Sequence, residues 1–416
     1  MTHNRRTFLT GAAALGATAI SLGSAPVWAA GSNLPGARRL VMLFLAGGND
    51  GLSMVSPYAD PAYQLRRPTI ALSGSQVLQV GTDTNGTALG LHPALAGLKQ
   101  IYDRGHLAIL PRVGYPSASR SHFVGTDIIS TALPQAPSTV GWLGRYLDSI
   151  RAPLDPLYGW NTEFQQPRSF LAEDTFVASI TNPSAYTYLN PWSGRDIAVR
   201  LARTRPGSEG STDVLNSIAA TAIETIPRVE QVLPYRPTVT YPQTKLGRSL
   251  QLVSSAIARG VGSKVFWVQA EGYDTHSRQG TVGGTFERLM GILDAGLTAL
   301  HADLLNQGLL DDTLVLVLSE FGRRIDENGS EGTDHGAAGV MLAIGAQVRG
   351  GIQGTASRSL AVTPDNPDLE NEGRDLAFST DFRSVYASVL RNWLDAAPDP
   401  ILRGAFLDPR LAFLST

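Results

Sequence analysis

The sequence contains no cysteine in 416 residues. That absence excludes disulfides, thiolate metal sites, a cysteine nucleophile and iron–sulfur clusters. Lysine is nearly missing as well, with Lys99, Lys245 and Lys264 the whole complement. Neither sign of charge is in surplus: 34 basic and 36 acidic side chains leave a formal charge of −2. No overall field would hold a polyanion, so nucleic acid is not an expected partner. No glycine-rich dinucleotide fingerprint or phosphate-binding loop follows an apolar run, and no internal repeat of roughly 20 to 50 residues is present. What remains is the balance of an ordinary globular protein, 43% hydrophobic and 17% charged. Its chemistry has to come from oxygen and imidazole.

Residues 1–29 read as an address rather than as fold. Arg5 and Arg6 precede an apolar stretch that ends near Leu22, and small residues follow around Ala29 and Ala30, where cleavage is expected. The stretch is shorter than the roughly 20 residues a bilayer span needs and is broken by Gly11 and Gly16, so no membrane span is expected to persist. The order Asn4, Arg5, Arg6, Thr7, Phe8, Leu9 resembles the twin-arginine export signal. That resemblance implies the export machinery as a partner, folding before transport, and a periplasmic or extracellular location. The mature chain, 30–416, reads as one domain with a loop-rich, aromatic insertion or lid at about 134–243.

Short apolar runs alternate with amphipathic stretches over most of that domain, which predicts an α/β fold with a largely parallel sheet. The expected strands are 40–45, 107–110, 176–180, 265–269, 314–318 and 340–344, and the expected helices 93–102, 123–131, 212–232, 246–258, 285–305 and 382–394. Ligands of such sheets bind beyond the carboxyl ends of the strands, so the polar residues just after each apolar run are the candidates.

Asp50 follows the first run on a glycine-rich turn, as a metal ligand or simply a turn residue. After the second run, Ser121 stands at a helix start, where free backbone N–H groups favour an anionic ester oxygen and serine is also a preferred cap. Ser119 competes with it as a nucleophile; Arg120 could grip an oxyanion or a surface carboxylate, and His122 could be a base, a ligand or a packed imidazole. Asp274 and His276, two apart, share one face of extended backbone and can converge on one cation. Glu320 again follows an apolar run, as a ligand or as the ion-pair partner of Arg323 or Arg324 close behind, and Arg323 could instead grip an anion. His335 precedes the sixth run. Five oxygen or nitrogen ligands, Asp50, Asp274, His276, Glu320 and His335, suit one or two divalent ions: zinc first, with manganese, magnesium or calcium also accommodated.

This order of motifs resembles the alkaline phosphatase and sulfatase superfamily. More closely, L-A-G-G-N-D-G-L, R-S-H-F-V-G-T-D, G-W-L-G-R-Y-L, D-T-H-S, S-E-F-G-R and G-T-D-H-G resemble the domain-of-unknown-function 1501 family of exported bacterial proteins. The resemblance implies an alkaline-phosphatase-like three-layer sandwich. It implies Asp50 and Glu320 on one ion beside Ser121, and Asp274, His276 and His335 on a neighbouring ion. Two departures put one ion site in doubt: Phe321 follows Glu320 where the superfamily commonly has histidine, and Asp274 and His276 are spaced D-x-H rather than D-x-x-x-H.

The resulting expectation is a metal-dependent hydrolase of phosphate or sulfate esters. Ser121 attacks, Arg120 or Arg323 holds the anionic oxygens, and the substrate is a small anionic ester. The rivals are an exported binding or assembly protein that performs no turnover, to which Phe321 lends support, and a metal-free serine esterase.

Overall fold

Strand β1 (Arg39–Leu45) is buried along its full length, and its side chains alternate between two cores. Val41, Leu43 and Leu45 face one; Leu40, Met42 and Phe44 face the other. A strand apolar on both faces must be covered on both, which is why the sequence shows a continuous run here instead of alternation. The computed structural model describes residues 38–134, 138–150, 155–186 and 225–414. The segment 1–29, with Arg5 and Arg6, and residues 212–224 of an expected helix lie outside them.

Among the described residues the central sheet has nine strands: β1, β2 (Leu107–Gly114), β3 (Gly159–Asn161), β4 (Ala178–Ser179), β5 (Val265–Ala270), β6 (Thr313–Leu318), β7 (Gly339–Ile344), β8 (Gly351–Ile352) and β9 (Thr380–Asp381). Their spatial order is β8-β2-β7-β6-β1-β5-β3-β4, with β9 also on β2. All pairings are parallel except those of β7, which runs against both β2 and β6. Helices α1 (Ala96–Asp103), α4 (Lys245–Ala258) and α5 (Thr285–Asn306) cover one face through residues such as Leu98, Leu250 and Leu293. Helices α2 (His122–Thr131), α3 (Trp142–Ser149) and α6 (Phe382–Ser388) cover the other, with Trp142 stacked on Tyr386 at 4.3 Å. The result is a three-layer α/β sandwich with a largely parallel sheet.

Three elements differ from the pattern in the sequence. The run at 107–110 extends to Gly114 because Val113 and Gly114 find partners in β9. The run at 340–344 forms a strand, but a reversed one, and hydrophobicity carries no direction. The helix expected over 382–394 closes in a π turn at Val389–Trp393, where Arg38 Nη1 donates to the freed carbonyl of Asn392 at 2.6 Å. Within the expected insertion, β3 and β4 join the main sheet at its edge.

Candidate metal centre

The carboxyl ends of β1, β2, β5 and β6 open on the same edge of the sheet, and the reversed β7 begins there. Gly47, just past β1, has φ +122 and lies so close to the loop after β5 that a Cβ would stand 2.4 Å from the Asp274 backbone nitrogen. Only glycine fits there. Its own N–H donates to Glu320 Oε1 at 2.9 Å, tying the loops after β1 and β6 together. Arg323, fully buried, completes the junction: its guanidinium donates to the carbonyls of Gly47, Gly48 (2.6 Å), Tyr273 (3.2 Å) and Thr333 (2.7 Å), and to Asp274 Oδ1 at 2.6 Å.

Three imidazoles surround the Asp274 carboxylate. The Nε2 atoms of His276 and His335 each lie 3.1 Å from Asp274 Oδ1, and His122 Nε2 lies 3.4 Å from Oδ2. The far nitrogen of each ring meets an oxygen. His122 Nδ1 donates to Glu320 Oε1 at 2.8 Å, His335 Nδ1 donates to the Arg120 carbonyl at 2.7 Å, and His276 Nδ1 stands 3.5 Å from Asp334 Oδ1. A carbonyl only accepts, so His335 carries a proton on Nδ1; as a neutral ring it turns the Nε2 lone pair towards Asp274, and as a protonated ring it donates to that carboxylate. The His276 and His335 Nε2 atoms approach to 2.8 Å. His122 Nε2 is buried and makes no hydrogen bond. Phe321 packs against His122 and His335, with ring centroids 5.0 and 4.7 Å away, and closes the floor.

Lone pairs converging on a carboxylate repel one another unless a positive charge lies among them. The donor set, three imidazole nitrogens and one carboxylate, each backed by a second oxygen, is the one that borderline divalent ions such as zinc take. His122, Asp274 and His335 bring ligand atoms within 4.8 Å of one another. The residues therefore fit the ion that the sequence implies. Burial would raise the Asp274 pKa, but the Arg323 and His335 hydrogen bonds and the Arg323 charge hold it down at about 2. His276 is shifted below its ordinary value by burial and then by Arg323.

The residues singled out in the sequence divide into three groups. Asp274, His276 and His335 come together, as their positions implied. Glu320 stands behind His122 and does not face the carboxylate itself, while Asp50 is elsewhere: it is fully buried and accepts from Arg67 Nη1 (2.6 Å), Ser53 Oγ (2.6 Å) and Gln279 Nε2 (2.7 Å). Burial would raise the Asp50 pKa, and the Arg67 guanidinium overrides it and lowers it. An internal cation thus already neutralises the carboxylate assigned to another ion. The two arginines expected to hold anionic oxygens are engaged within the protein. Arg120 turns its guanidinium onto Asp375 and Glu370, contributing only its carbonyl to the centre, and each guanidinium nitrogen of Arg323 is engaged in the junction. Ser121 is exposed at the start of α2 and makes no capping hydrogen bond with its side chain.

His122, left open between three roles, proves to face the carboxylate. Asp334 and Asn328 went unnoticed. Asn328 Nδ2 donates to the His276 carbonyl (2.9 Å) and to Asp334 Oδ1 (3.1 Å), fixing the carboxylate behind His276.

Asp274, His276, Glu320 and His335, with the strands that present them, fall within one stretch. Residues 243–394 match the model of the family described as "Protein of unknown function (DUF1501)". The DUF1501 match is narrower than the run of motifs in the sequence and leaves out His122, Ser121 and β1. No curated protein matches the chain. Among solved structures it is similar to the PsFucS1 sulfatase from Pseudoalteromonas sp., at 12% identity over 91% of this chain and 72% of that one, with a TM-score of 0.41. It is similar to a protein in the alkaline phosphatase superfamily from Vibrio parahaemolyticus, at 12% identity over 84% and 71%, TM-score 0.35. It is also similar to the phosphonate monoester hydrolase SpPMH from Silicibacter pomeroyi, at 11% identity over 91% and 77%, TM-score 0.35. Likeness at these scores says nothing about chemistry, which rests on the chain's own residues. No helix among the described residues is long and apolar enough to cross a membrane.

Proposed function

We propose that the chain is a metal-dependent hydrolase of phosphate or sulfate esters in which His122, Asp274, His276 and His335 hold one divalent ion, zinc for preference. The observation that carries this reading is the convergence of three Nε2 atoms on Asp274, with the His122 nitrogen buried and lacking a partner. A divalent ion there supplies Lewis-acid stabilisation of charge on an ester. The Asp50–Arg67 pair supports one ion in this reading rather than two. Ser121 is the nucleophile in this reading: it adjoins His122, sits at a helix N-terminus that favours anionic oxygens, and does not use its hydroxyl as a cap. The activity belongs outside the cytoplasm, on the support of the twin-arginine-like segment at 1–29.

Metal analysis by plasma mass spectrometry on folded, exported protein tests the centre. About one equivalent of divalent metal is expected, lost when Asp274→Ala and His276→Ala are combined; a folded protein without metal overturns it. Hydrolysis of a panel of aryl phosphates and sulfates tests the reaction, with Ser121→Ala expected to abolish turnover while metal content is kept. A non-catalytic binding protein is the second reading, favoured by the internal bonding of Arg120 and Arg323. Bound metal without turnover on any ester would select it.

A further inference from the structure

The loop after β5 divides its side chains between the core and the surface. Thr275 and Gln279 are buried and hydrogen-bond to each other at 2.8 Å, and Gln279 reaches Asp50. Asp274, Ser277 and Arg278 are exposed, and His276 is partly buried. Four arginines occupy the loops that build the centre, and three are bonded internally. Arg120 is held by Asp375 and Glu370, Arg323 by Asp274 and the junction carbonyls, and Arg324 by Asp334 at 3.2 Å. Arg278 differs. Among the described residues its guanidinium makes no hydrogen bond and no ion pair, although it stands only two positions beyond His276.

Its backbone is the second observation. Arg278 has φ +42, in the left-handed region that glycine and asparagine adopt and long side chains avoid. Its N–H donates to the Ser330 carbonyl at 2.7 Å and the next N–H, of Gln279, to the Glu331 carbonyl at 2.8 Å, which hold the strained turn in place. A glycine would satisfy that turn without strain. The chain instead keeps a bulky cation, without a partner among the described residues, on the loop that carries Asp274 and His276, and backbone strain of this kind gathers at functional positions.

We infer that Arg278 is the anion-binding residue of the centre, the group that takes the charged oxygens of the substrate beside His276. A guanidinium presents a planar fork of donors that matches two oxygens of a phosphate or sulfate group at once. This deepens the hydrolase reading by naming the residue that selects an anionic ester. Arg120 and Arg323 were the sequence's candidates for that task.

The test is calorimetric binding of inorganic phosphate to the full-length exported protein, metal-loaded and after chelation, for wild type, Arg278→Asn and Arg278→Lys. Asparagine suits the left-handed turn and removes the charge; lysine keeps the charge. The metal-loaded wild type is expected to bind phosphate, Arg278→Asn to weaken it by about tenfold or more, and Arg278→Lys to retain most of the affinity. Metal content and melting temperature should be undiminished in both variants. Equal phosphate affinity in wild type and Arg278→Asn overturns the inference, as does a wild type that binds no phosphate in either state. Loss of the hydrolase reading shows separately, as absence of metal or of turnover, because phosphate binding is read without catalysis.

Discussion

Asp50 and Arg67 show what a single residue can decide. Both side chains are fully shielded from water, and each neutralises the other at 2.6 Å. Removing one partner leaves an uncompensated buried charge, so Arg67→Met is expected to lower unfolding stability by about 3–5 kcal/mol. Chemical denaturation would register this as a lower midpoint, and adding Asp50→Asn should recover part of the loss. The same pair explains what the sequence could not convey. Asp50 at a strand end looked like a ligand because position is legible, whereas its neutralising partner is chosen by the fold. The arginines repeat the point. Arg120 finds Asp375 in the folded chain 255 residues away, and no local pattern announces that pairing. Asp274 and His276 were legible because their spacing alone puts them on one face. His122 was not, since a histidine before a helix fits three roles until Glu320 closes on its Nδ1.

At the scale of elements, the centre depends on two loops being held together. The turn between residues 328 and 333 docks on the loop after β5 through backbone hydrogen bonds from Arg278, Gln279 and Thr333, to Ser330, Glu331 and Thr275 respectively. Gly332 lies against the His276 carbonyl, where a Cβ would be 2.3 Å from the carbonyl carbon. Asn328 adds the side-chain tie to Asp334. Asn328→Ala is therefore expected to leave the fold intact but weaken metal affinity by roughly 10- to 100-fold, read by competition with a chromophoric chelator. Unchanged affinity would mean that Asp334 does not orient His276. The elements themselves were largely legible: the strands at 40–45, 265–269 and 314–318 reappear within a residue of the structure's bounds because both faces are buried and the runs are unbroken. The reversal of β7 was not, because an apolar run reads the same in either direction.

For the molecule as a whole, pH should act on stability through a histidine far from the centre. His301, on α5, hydrogen-bonds His106 across 3.0 Å at the start of β2. Burial, with His106 and Arg104 adding positive charge, holds its pKa down at about 4 against an ordinary 6.5. The unfolded chain takes up a proton below that ordinary value and the folded chain does not, so stability is full above about 6.5 and is lost as pH falls towards about 4. The slope from this group is at most about 1.4 kcal/mol per pH unit. Thermal unfolding of wild type and His301→Gln between those pH values checks it, the variant being expected to show the shallower slope.

The reversed strand has a further consequence for how the protein is made. His122 follows β2, while His335 precedes β7, and β7 inserts between β2 and β6. Neither half of the chain can assemble the ligand set by itself, and the ribosome must deliver the sequence to beyond residue 344 before β7 can be seated. A growing polypeptide has no centre to fill. On the metal-dependent reading proposed above, the ion would be captured only once β7 is seated, and the compartment in which that happens would decide which ion is taken up.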